Sequence, residues 1–325
     1  MKRVLSFLAA FLMVFFCTGS FSEQAEPAMT PGPDDVLVTE ADGGEFRPLP
    51  LDINEGGAPL AKKTFSAQIA LYEDPTIRVE YRRVEGGKEW GVVYYCADIT
   101  IRDASQIRTA FATRKDQFNP SAKLEAGAIA KKYNAVCAVN GDFFAGFSGN
   151  AFVLRQGKVY RDTVETNLDL LLIDEEGDFH VLPADESLTA ADKTVIDGKK
   201  VVNALQFGPA LIIDGEPVSD ESLLDRGHSP ANADPHLLNQ RMAIIQIDKL
   251  HYMALTCAHY GMELPRFRDL IMHITDGKAK TAYTLDGGNS SQLIFVNRKR
   301  NNVYEEAERR PITDIIYFAS AWFKD

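Results

Sequence analysis

Apolar residues recur at every second position, or in short continuous runs, along most of the chain from Thr64 onward. Both patterns predict β-strands, and the alternating runs at the start of this region indicate antiparallel pairing. Polar and glycine-containing segments separate the runs and predict turns. The predicted strands cover residues 65–72, 77–84, 91–102, 135–139, 151–154, 168–173, 179–182, 241–247, 251–259, 281–285 and 309–318. Residues 203–215 are expected to contain a Gly-Pro turn and a short hairpin.

Two segments instead have the apolar spacing of helices that pack on a sheet. One covers residues 121–133 and begins at Ser121, a residue type that caps helix N-termini. The other covers residues 263–273. Their apolar faces consist of Leu124, Ala128 and Ile129 in the first and Leu264, Phe267, Leu270 and Ile271 in the second. We therefore expect an α+β fold: a single domain with a mixed, largely antiparallel sheet and packed helices.

The N-terminus has the features of a secretory signal peptide. Lys2 and Arg3 precede an apolar stretch of 13 residues, and small residues follow up to Ser22. This stretch is short for a membrane-spanning helix. We expect residues 1–22 to be removed and the protein to be secreted or extracytoplasmic, in the cell envelope. Anchoring by an uncleaved N-terminal segment is the alternative.

Residues 23–63 are rich in Pro, Gly, Asp and Glu, and they contain few of the apolar residues that build a core. This composition predicts a flexible stalk. The folded domain is then expected over residues 64–325.

Composition and charge exclude several classes of partner. Of the 325 residues, 45% are hydrophobic, which allows a large buried core, and the formal net charge is −11. This negative charge argues against nucleic acid or anionic lipid as a partner. No segment after the signal peptide is long and apolar enough to predict a membrane span. An anionic small substrate stays compatible with the composition, because it needs only a local cation.

Cys96, Cys137 and Cys257 each lie within an apolar, strand-like run. Three cysteines without short spacing form neither a disulfide framework nor a zinc site. We expect buried free thiols, with one disulfide bridge as the alternative.

Residues 281–295 form the most informative stretch. An apolar run ends at Asp286, and two glycines and three small polar residues follow before apolar residues resume at Leu293. Adjacent glycines permit positive φ angles and close approach of a ligand to the main chain. The side chains that would converge there are Asp286, Asn289, Ser290 and Ser291. A tight Asp-Gly hairpin without chemistry is the alternative interpretation.

A second stretch, residues 135–146, has the same organisation. Its apolar run ends at Asn140, Gly141 and Asp142, and two aromatic residues follow that can wall a pocket or seal the core. The alternative is an ordinary Asn-Gly turn.

Two arginines stand at the starts of apolar strands. Arg241 follows a long polar segment, residues 221–240, of the kind that often forms a lid or a binding loop. Arg310 gives the last predicted strand a basic start. Each can direct a guanidinium into a pocket, and the alternative is an ordinary surface arginine.

Common nucleophile, phosphate-loop, dinucleotide and zinc-protease motifs are absent from the sequence. The histidines lack metal-ligand spacing and are expected to be solvated or core residues. The remaining carboxylates, amides and arginines suit acid/base hydrolysis of a polar ester or a sugar bond. A bidentate arginine can hold a phosphate in such a reaction.

Five motifs, in order along residues 64–325, resemble the phosphodiester glycosidase family, whose bacterial members include exopolysaccharide-biosynthesis proteins. Each motif is weak alone, but their common order makes the resemblance fairly specific. The motifs are Asn140-Gly141-Asp142-Phe143-Phe144, Phe207-Gly208-Pro209-Ala210-Leu211, Arg241-Met242-Ala243-Ile244, Leu285-Asp286-Gly287-Gly288-Asn289-Ser290-Ser291 and Arg310-Pro311.

The resemblance implies hydrolysis of a sugar-1-phosphodiester on a glycan or sugar-phosphate substrate. It implies that Asp286 is the acid/base group, that Arg241 clamps the phosphate and that Asp142 is a second carboxylate. Neither a cofactor nor a metal-ligand loop follows from the sequence, and a divalent cation such as calcium near the carboxylates is left as an open alternative. The implied substrate-binding residues are Asn140, Gly141, Gly287, Gly288, Asn289, Ser290 and Arg310.

Two other functions fit parts of the sequence. A non-catalytic carbohydrate-binding or exopolysaccharide-assembly protein of the cell envelope would keep the pocket and lack turnover. An ester hydrolase acting on exopolysaccharide would need a nucleophile–base pair, and the sequence shows none.

Overall fold

The computed structural model of the protein describes residues 36–38, 43–60, 71–113, 117–146, 149–225, 235–258, 260–296, 298–301 and 310–324. All of them belong to one unit, residues 31–325. The predicted signal peptide and residues 23–35, 39–42 and 61–63 of the predicted stalk lie outside the described residues.

Strands dominate the described residues, as predicted. The first eleven are β1 (Val36–Val38), β2 (Gly44–Phe46), β3 (Leu71–Asp74), β4 (Ile77–Glu85), β5 (Val93–Ile101), β6 (Ile107–Phe111), β7 (Ala135–Asn140), β8 (Val153–Arg155), β9 (Lys158–Arg161), β10 (Leu170–Asp174) and β11 (Phe179–Leu182). The others are β12 (Val195–Ile196), β13 (Lys199–Gln206), β14 (Ala210–Ile213), β15 (Glu216–Pro217), β16 (Met242–Asp248), β17 (His251–Cys257), β18 (Thr281–Leu285), β19 (Leu293–Phe295), β20 (Arg298–Lys299), β21 (Asp314–Ala319) and β22 (Trp322–Lys324). The α-helices are α1 (Gly87–Trp90), α2 (Ala126–Lys132), α3 (Asp220–Asp225) and α4 (Leu264–Ile274).

The strands form three larger sheets where the sequence predicted one. A nine-stranded sheet has the order β1-β3-β4-β5-β17-β16-β18-β14-β15, and a five-stranded sheet has the order β20-β19-β7-β21-β6. A third sheet has the order β11-β10-β13-β8-β9, with β12 beside β13. Among the described pairs only β1 and β3 are parallel, so the largely antiparallel character is confirmed together with the α+β class.

The main core lies between sheet faces, and the two longer helices cover outer faces. Side chains alternate between the two faces of a strand. Ile316 of β21 therefore lies in the main core, while Ile315 packs with the buried residues of helix α2. In the same way, Ile244 of β16 lies in the main core, while Ile245 packs with the buried residues of helix α4. Helix α4 buries the apolar face that the sequence predicted: Leu264, Phe267, Leu270 and Ile271.

Helix α2 is shorter than predicted, since it begins at Ala126 and not at Ser121. The preceding Leu124 is 43% exposed and forms an antiparallel bridge with Ile312. The Gln292 side chain accepts a hydrogen bond from Ala126 N at 3.2 Å, so a residue distant in sequence satisfies the helix N-terminus in place of Ser121.

The predicted stalk is wrong for residues 43–60, which pack on the folded domain. Strand β2 pairs with β22 near the C-terminus, and Leu49 and Ile53 are buried. The buried guanidinium of Arg108 donates hydrogen bonds to the carbonyl oxygens of Pro50, Asp52 and Glu55 at 2.9–3.0 Å. A polar, proline-rich segment is therefore held by backbone hydrogen bonds that its composition does not reveal.

The predicted polar loop, residues 221–240, begins inside helix α3, and residues 226–234 of it lie outside the described residues. Cys96, Cys137 and Cys257 are buried free thiols, which confirms the prediction. Within the ranges that the structure describes, no helix is both long and apolar enough to cross a membrane.

Candidate active site

The stretch after β18 connects two sheets and is not a hairpin. Strand β18 pairs with β16 and β14 in the nine-stranded sheet, whereas β19 pairs with β7 in the five-stranded sheet. Asp286 and Gly287 lie in the crossing, and Gly288–Ser290 form a 3-10 turn. Gly288 has a φ of +57°, and its N–H donates to Gln240 O at 2.8 Å. The hairpin interpretation is therefore wrong, and Asp286 lies where the edges of two sheets meet.

Asn140, at the end of β7, fastens this crossing to the five-stranded sheet. Its Nδ2 donates to Asp286 O at 2.8 Å, and its Oδ1 accepts from Gln292 N at 3.1 Å. Asn140 thus positions the backbone of Asp286. Its contact with sugar hydroxyl groups stays a prediction.

Gly141 is needed where it stands because the start of β21 lies directly against it. Its N–H donates to Asp314 O at 3.0 Å, and a β-carbon added to Gly141 would lie 2.0 Å from Asp314 Oδ1. The glycine therefore allows the Asp314 carboxyl group to lie over the end of β7.

Arg155 of β8 lies between two buried carboxylates. Its Nη2 is 2.9 Å from Asp142 Oδ1 and 2.8 Å from Asp314 Oδ2, and all three side chains are fully or almost fully buried. Burial lowers the pKa of Arg155, but the two carboxylates raise it by more, so the pKa lies above its ordinary value. The three side chains form a buried ionic cluster next to Gly141.

One pocket contains five of the ten predicted site residues: Asn140, Gly141, Asp286, Ser290 and Arg310. It encloses about 250 Å³, counting its open mouth, and its lining combines residues from the ends of β7, β18 and β21. The lining residues are Lys123, Asn140, Gly141, Phe143, Asp286, Ser290, Arg310, Pro311, Ile312, Thr313 and Asp314.

Asp286 has the electrostatics of an acid/base group. It is 3% exposed, and burial raises the pKa of this carboxyl group from 3.8 to about 6. Ser290, Arg310 and the Gly287 N–H lower the pKa of Asp286 against this effect, while the negative charge of Asp142 raises it further. The group therefore changes protonation near neutral pH, which acid/base catalysis requires.

Arg310 supplies a cation to the pocket, and its backbone is fixed by hydrogen bonds. Gln292 Nε2 donates to Arg310 O at 3.0 Å, and the same Gln292 side chain accepts from the start of α2. Lys123, which is exposed, also lines the pocket, with its ammonium 5.7 Å from the centre of the Phe143 ring. A positively charged rim thus faces the carboxyl groups.

The structure does not bring Arg241 into this pocket. Arg241 lines a neighbouring pocket with Gly287, and its guanidinium donates to the carbonyl oxygens of Met262 and Leu237 at 2.9 and 2.7 Å. These bonds position the segment around residues 237–262. A phosphate contact of Arg241 stays a prediction.

Asp142 faces Arg155 and not the pocket. Its Oδ1 also accepts from Phe144 N at 3.2 Å, and its Oδ2 accepts from Gln206 N at 2.9 Å. With both oxygens occupied, Asp142 is suited to setting the local charge. Direct catalysis by Asp142 stays a prediction.

The described carboxylates do not fit a calcium site at this position. The Arg155 guanidinium occupies the space between Asp142 and Asp314 that a divalent cation would need. Among the described residues, no cluster of three or more His, Cys, Asp and Glu side chains is arranged to hold a metal ion. We derive no step through a metal.

Sequence reasoning missed Asp314, Arg155 and Gln292. Asp314 follows the basic start of the last strand, so its position repeats the pattern of a carboxylate at a strand end. Arg155 and Gln292 lie in short apolar or polar runs without a distinguishing local signal.

Comparison with known proteins gives the family and the fold. A buried carboxyl group with a raised pKa, beside cations at converging strand ends, suits acid/base hydrolysis of a glycosyl bond. The model of the phosphodiester glycosidase family matches residues 133–319. The chain belongs to this family and is a hydrolase of phosphodiester glycosyl bonds.

A solved structure supports the fold. The chain is similar to the catalytic domain of zebrafish N-acetylglucosamine-1-phosphodiester alpha-N-acetylglucosaminidase, described as auto-inhibited by its pro-peptide, with a TM-score of 0.58 and 13% identity. The match covers 86% of this chain and 88% of that chain. At this identity the likeness shows the fold alone.

Two further solved structures match less well. A hypothetical protein from Synechocystis has a TM-score of 0.48 at 14% identity, covering 76% of this chain and 63% of that chain. An exported protein from Burkholderia pseudomallei K96243 has a TM-score of 0.48 at 12% identity, and the match covers 70% of this chain and 74% of that chain. No curated protein sequence matches the chain.

Proposed function

We propose that this protein hydrolyses a sugar-1-phosphodiester on a glycan or cell-envelope polymer and releases free sugar and a phosphomonoester. The observation that carries the proposal is the shared pocket of Asp286 and Arg310. A carboxyl group with a pKa of about 6 and a guanidinium line the same space. Transfer of the glycosyl group to water needs the carboxyl group, and the phosphate leaving group needs the guanidinium.

In this reaction Asp286 accepts a proton from the attacking water. The ionised carboxylate receives support from Ser290, Arg310 and the Gly287 N–H, so it can be present at neutral pH despite its burial. The bond between sugar C1 and the phosphate oxygen breaks, and its electron pair leaves with the phosphate.

Arg310 holds the departing phosphate. The leaving group gains negative charge as the bond breaks, and a fixed cation stabilises that charge more in the transition state than in the bound substrate. Ser290 lines the same pocket, and Gly287 lines the neighbouring one. Substrate contacts of Gly287, Gly288, Asn289 and Ser290 are part of the proposal. Arg241 acts on the phosphate from the neighbouring pocket or positions the segment that carries Gln240, and its alanine variant tests this role.

We also propose that the protein acts outside the cytoplasm, on the basis of residues 1–22. Cell fractionation followed by N-terminal sequencing of the extracytoplasmic protein tests this. Retention of residue 1 in a membrane fraction would establish the anchored alternative.

Incubation of the purified protein with a panel of sugar-1-phosphodiesters tests the function, with free sugar and phosphomonoester as the readout. Asp286→Ala and Arg310→Ala are each expected to lower kcat/KM by about 10²–10⁴-fold. Arg266→Ala, an exposed arginine on α4, is the matched control and should retain activity.

EDTA in a parallel assay tests whether turnover needs a divalent cation. Absence of turnover on the whole panel, with sugar-phosphate binding intact in calorimetry, would refute the hydrolase proposal and favour the non-catalytic carbohydrate-binding protein.

A further inference from the structure

Two carboxyl groups, and not one, line the pocket. Asp314 lies at the start of β21, and it lines the same pocket as Asp286. The two carboxyl oxygens of Asp314 have different surroundings. Oδ2 accepts from Arg155 Nε at 3.0 Å and from Nη2 at 2.8 Å. Oδ1 lies over Gly141, and the Thr313 hydroxyl approaches it at 3.4 Å.

The charge of the ionic cluster does not balance when both carboxylates are ionised. One guanidinium, Arg155, serves Asp142 and Asp314, so the buried cluster would carry one excess negative charge. Like charges at one buried site cause one carboxyl group to retain a proton.

The hydrogen bonds decide which carboxyl group retains that proton. Asp142 accepts from three N–H groups, on Phe144, Arg155 and Gln206, through both of its carboxylate oxygens. Oδ1 of Asp314 has no comparable N–H donor among the described residues. Burial and the charge of Asp142 raise the pKa of Asp314 above its ordinary value, although Arg155 lowers it. A proton retained by the cluster is therefore expected on Asp314, at the Oδ1 that Arg155 does not contact.

We propose that Asp314 is the second catalytic carboxyl group of this site and that its Oδ1 gives a proton to the departing phosphate. This inference rests on the proposed function. As water attacks sugar C1, a proton of the water passes to Asp286. The C1–O bond breaks, its electron pair goes to the phosphate oxygen, and that oxygen takes the proton of Asp314. Exchange with solvent then returns Asp286 and Asp314 to their starting protonation states.

The chemistry of the leaving group suits a weak acid of this kind. A phosphomonoester dianion takes up a proton with a pKa of about 6. A carboxyl group whose pKa is raised by burial can thus transfer a proton to it without a large energetic penalty. An ordinary surface aspartate would be ionised at neutral pH and unable to donate.

Arg155 and Asp142 are positioning residues in this scheme. Arg155 orients Asp314 through Oδ2, which leaves Oδ1 toward the pocket. Asp142 keeps the proton on Asp314 through its negative charge. The other charged groups facing this position are Asp286 after β18, Arg310 before β21 and Lys123 before α2.

The pH dependence of kcat/KM tests the assignment. The wild-type protein is expected to give a bell-shaped profile, in which Asp286 limits the acid side and Asp314 the alkaline side. Asp314→Asn should lower the rate by about 10²–10⁴-fold and abolish the alkaline limb, because an amide has no acid proton to lose. Asp286→Asn should abolish the acid limb instead.

Asp142→Asn distinguishes an electrostatic role from a structural one. Loss of the negative charge is expected to move the alkaline limb to lower pH, by on the order of one unit, while the acid limb shifts less. Asp98→Asn, on β5 and outside the pocket lining, is the control and should leave the profile unchanged. Far-ultraviolet circular dichroism verifies that each variant is folded.

Two results would overturn the inference while the proposed function stands. The first is wild-type turnover with an alkaline limb that persists in Asp314→Asn. The second is a titration of ¹³C-labelled aspartate by NMR, without substrate, in which the resonance lost in Asp314→Asn titrates like an ordinary carboxyl group. Absence of wild-type turnover on every sugar-1-phosphodiester would instead refute the proposed function, and the catalytic assignment with it.

Discussion

At the scale of single residues, Asp286 is placed where it is unfavourable for folding. An aspartate is normally solvated, whereas this carboxyl group is buried and has a pKa of about 6 compared with 3.8 when unperturbed. Groups with such shifted pKa values are concentrated in functional sites, where activity compensates for lost stability. The residue thus carries a stability cost that depends on pH.

Asp286→Asn is expected to stabilise the folded protein at pH 8. The pKa of Asp286 is higher in the folded protein than in the unfolded chain, so ionisation of Asp286 destabilises the fold. The free energy of unfolding is therefore highest below the unfolded pKa of about 4, falls as pH rises, and stays reduced above about pH 6. An asparagine cannot ionise, so the gain at pH 8 is at most about 3 kcal/mol and should vanish near pH 4. Urea unfolding at both pH values measures it.

Asp174→Asn is the matched control for this measurement. Its Oδ1 accepts from Glu176 N and Asp178 N, and Lys199 lies 3.6 Å from its Oδ2, so the variant should lose stability at pH 8. Equal stabilisation by both substitutions would contradict the account given for Asp286.

At the scale of elements, the site exists because three strand ends meet. The end of β7 carries Asn140 and Gly141, the end of β18 carries Asp286, and the start of β21 carries Asp314. The strands β7 and β21 are neighbours in one sheet, while β18 belongs to another. Close approach at this junction depends on the missing side chain of Gly141.

Gly141→Ala tests the junction. The new β-carbon would lie 2.0–2.6 Å from the Asp314 carboxyl atoms, which Arg155 holds in place. We expect a loss of about 1–3 kcal/mol in unfolding free energy, as in other overpacked sites, and a strong fall in turnover.

Gly127→Ala, in helix α2, is the matched control for this substitution. Its new β-carbon would meet Ile294 Cδ1 at an ordinary 3.8 Å, and alanine favours helix. Equal activity of the two variants would show that the Gly141–Asp314 contact is not required.

At the scale of the whole molecule, residues 43–60 pack against the C-terminal strand of the domain. Strand β2 pairs with β22, and residues 50–55 supply acceptors for Arg108, which also donates to the Tyr317 hydroxyl at 3.0 Å. The beginning and end of the described domain therefore stabilise each other.

Truncation tests this closure. A chain that starts at Thr64, the boundary that composition suggests, loses β2 and the carbonyl acceptors of Arg108. A buried guanidinium without acceptors is costly, by about 1–3 kcal/mol or more for a charged group. We expect a markedly lower Tm or failure to fold, whereas a chain that starts at Pro31, which retains β1 and β2, should keep the wild-type Tm. Equal Tm values, measured by calorimetry, would restore the stalk interpretation for residues 43–60.

Some features could be predicted from the sequence because their signals are local. Strand β18 and the resumption of apolar residues at Leu293 have the predicted bounds, and α4 buries the predicted face. The burial of the three cysteines likewise follows from the apolar runs around them. Of the predicted site residues, Asn140, Gly141, Asp286, Ser290 and Arg310 line one pocket.

Other features were decided only by the tertiary structure. The sequence by itself determined which runs are strands, which face of α4 is buried and which strands end in polar residues. It did not determine that β18 and β19 belong to different sheets, or that Arg155 meets Asp314, 159 positions away. Local periodicity reports burial, but the pairing of strands depends on contacts between distant segments. The ionic cluster beside the pocket arises from that pairing, because the buried Arg155 charge is stable in the interior only beside its carboxyl partners.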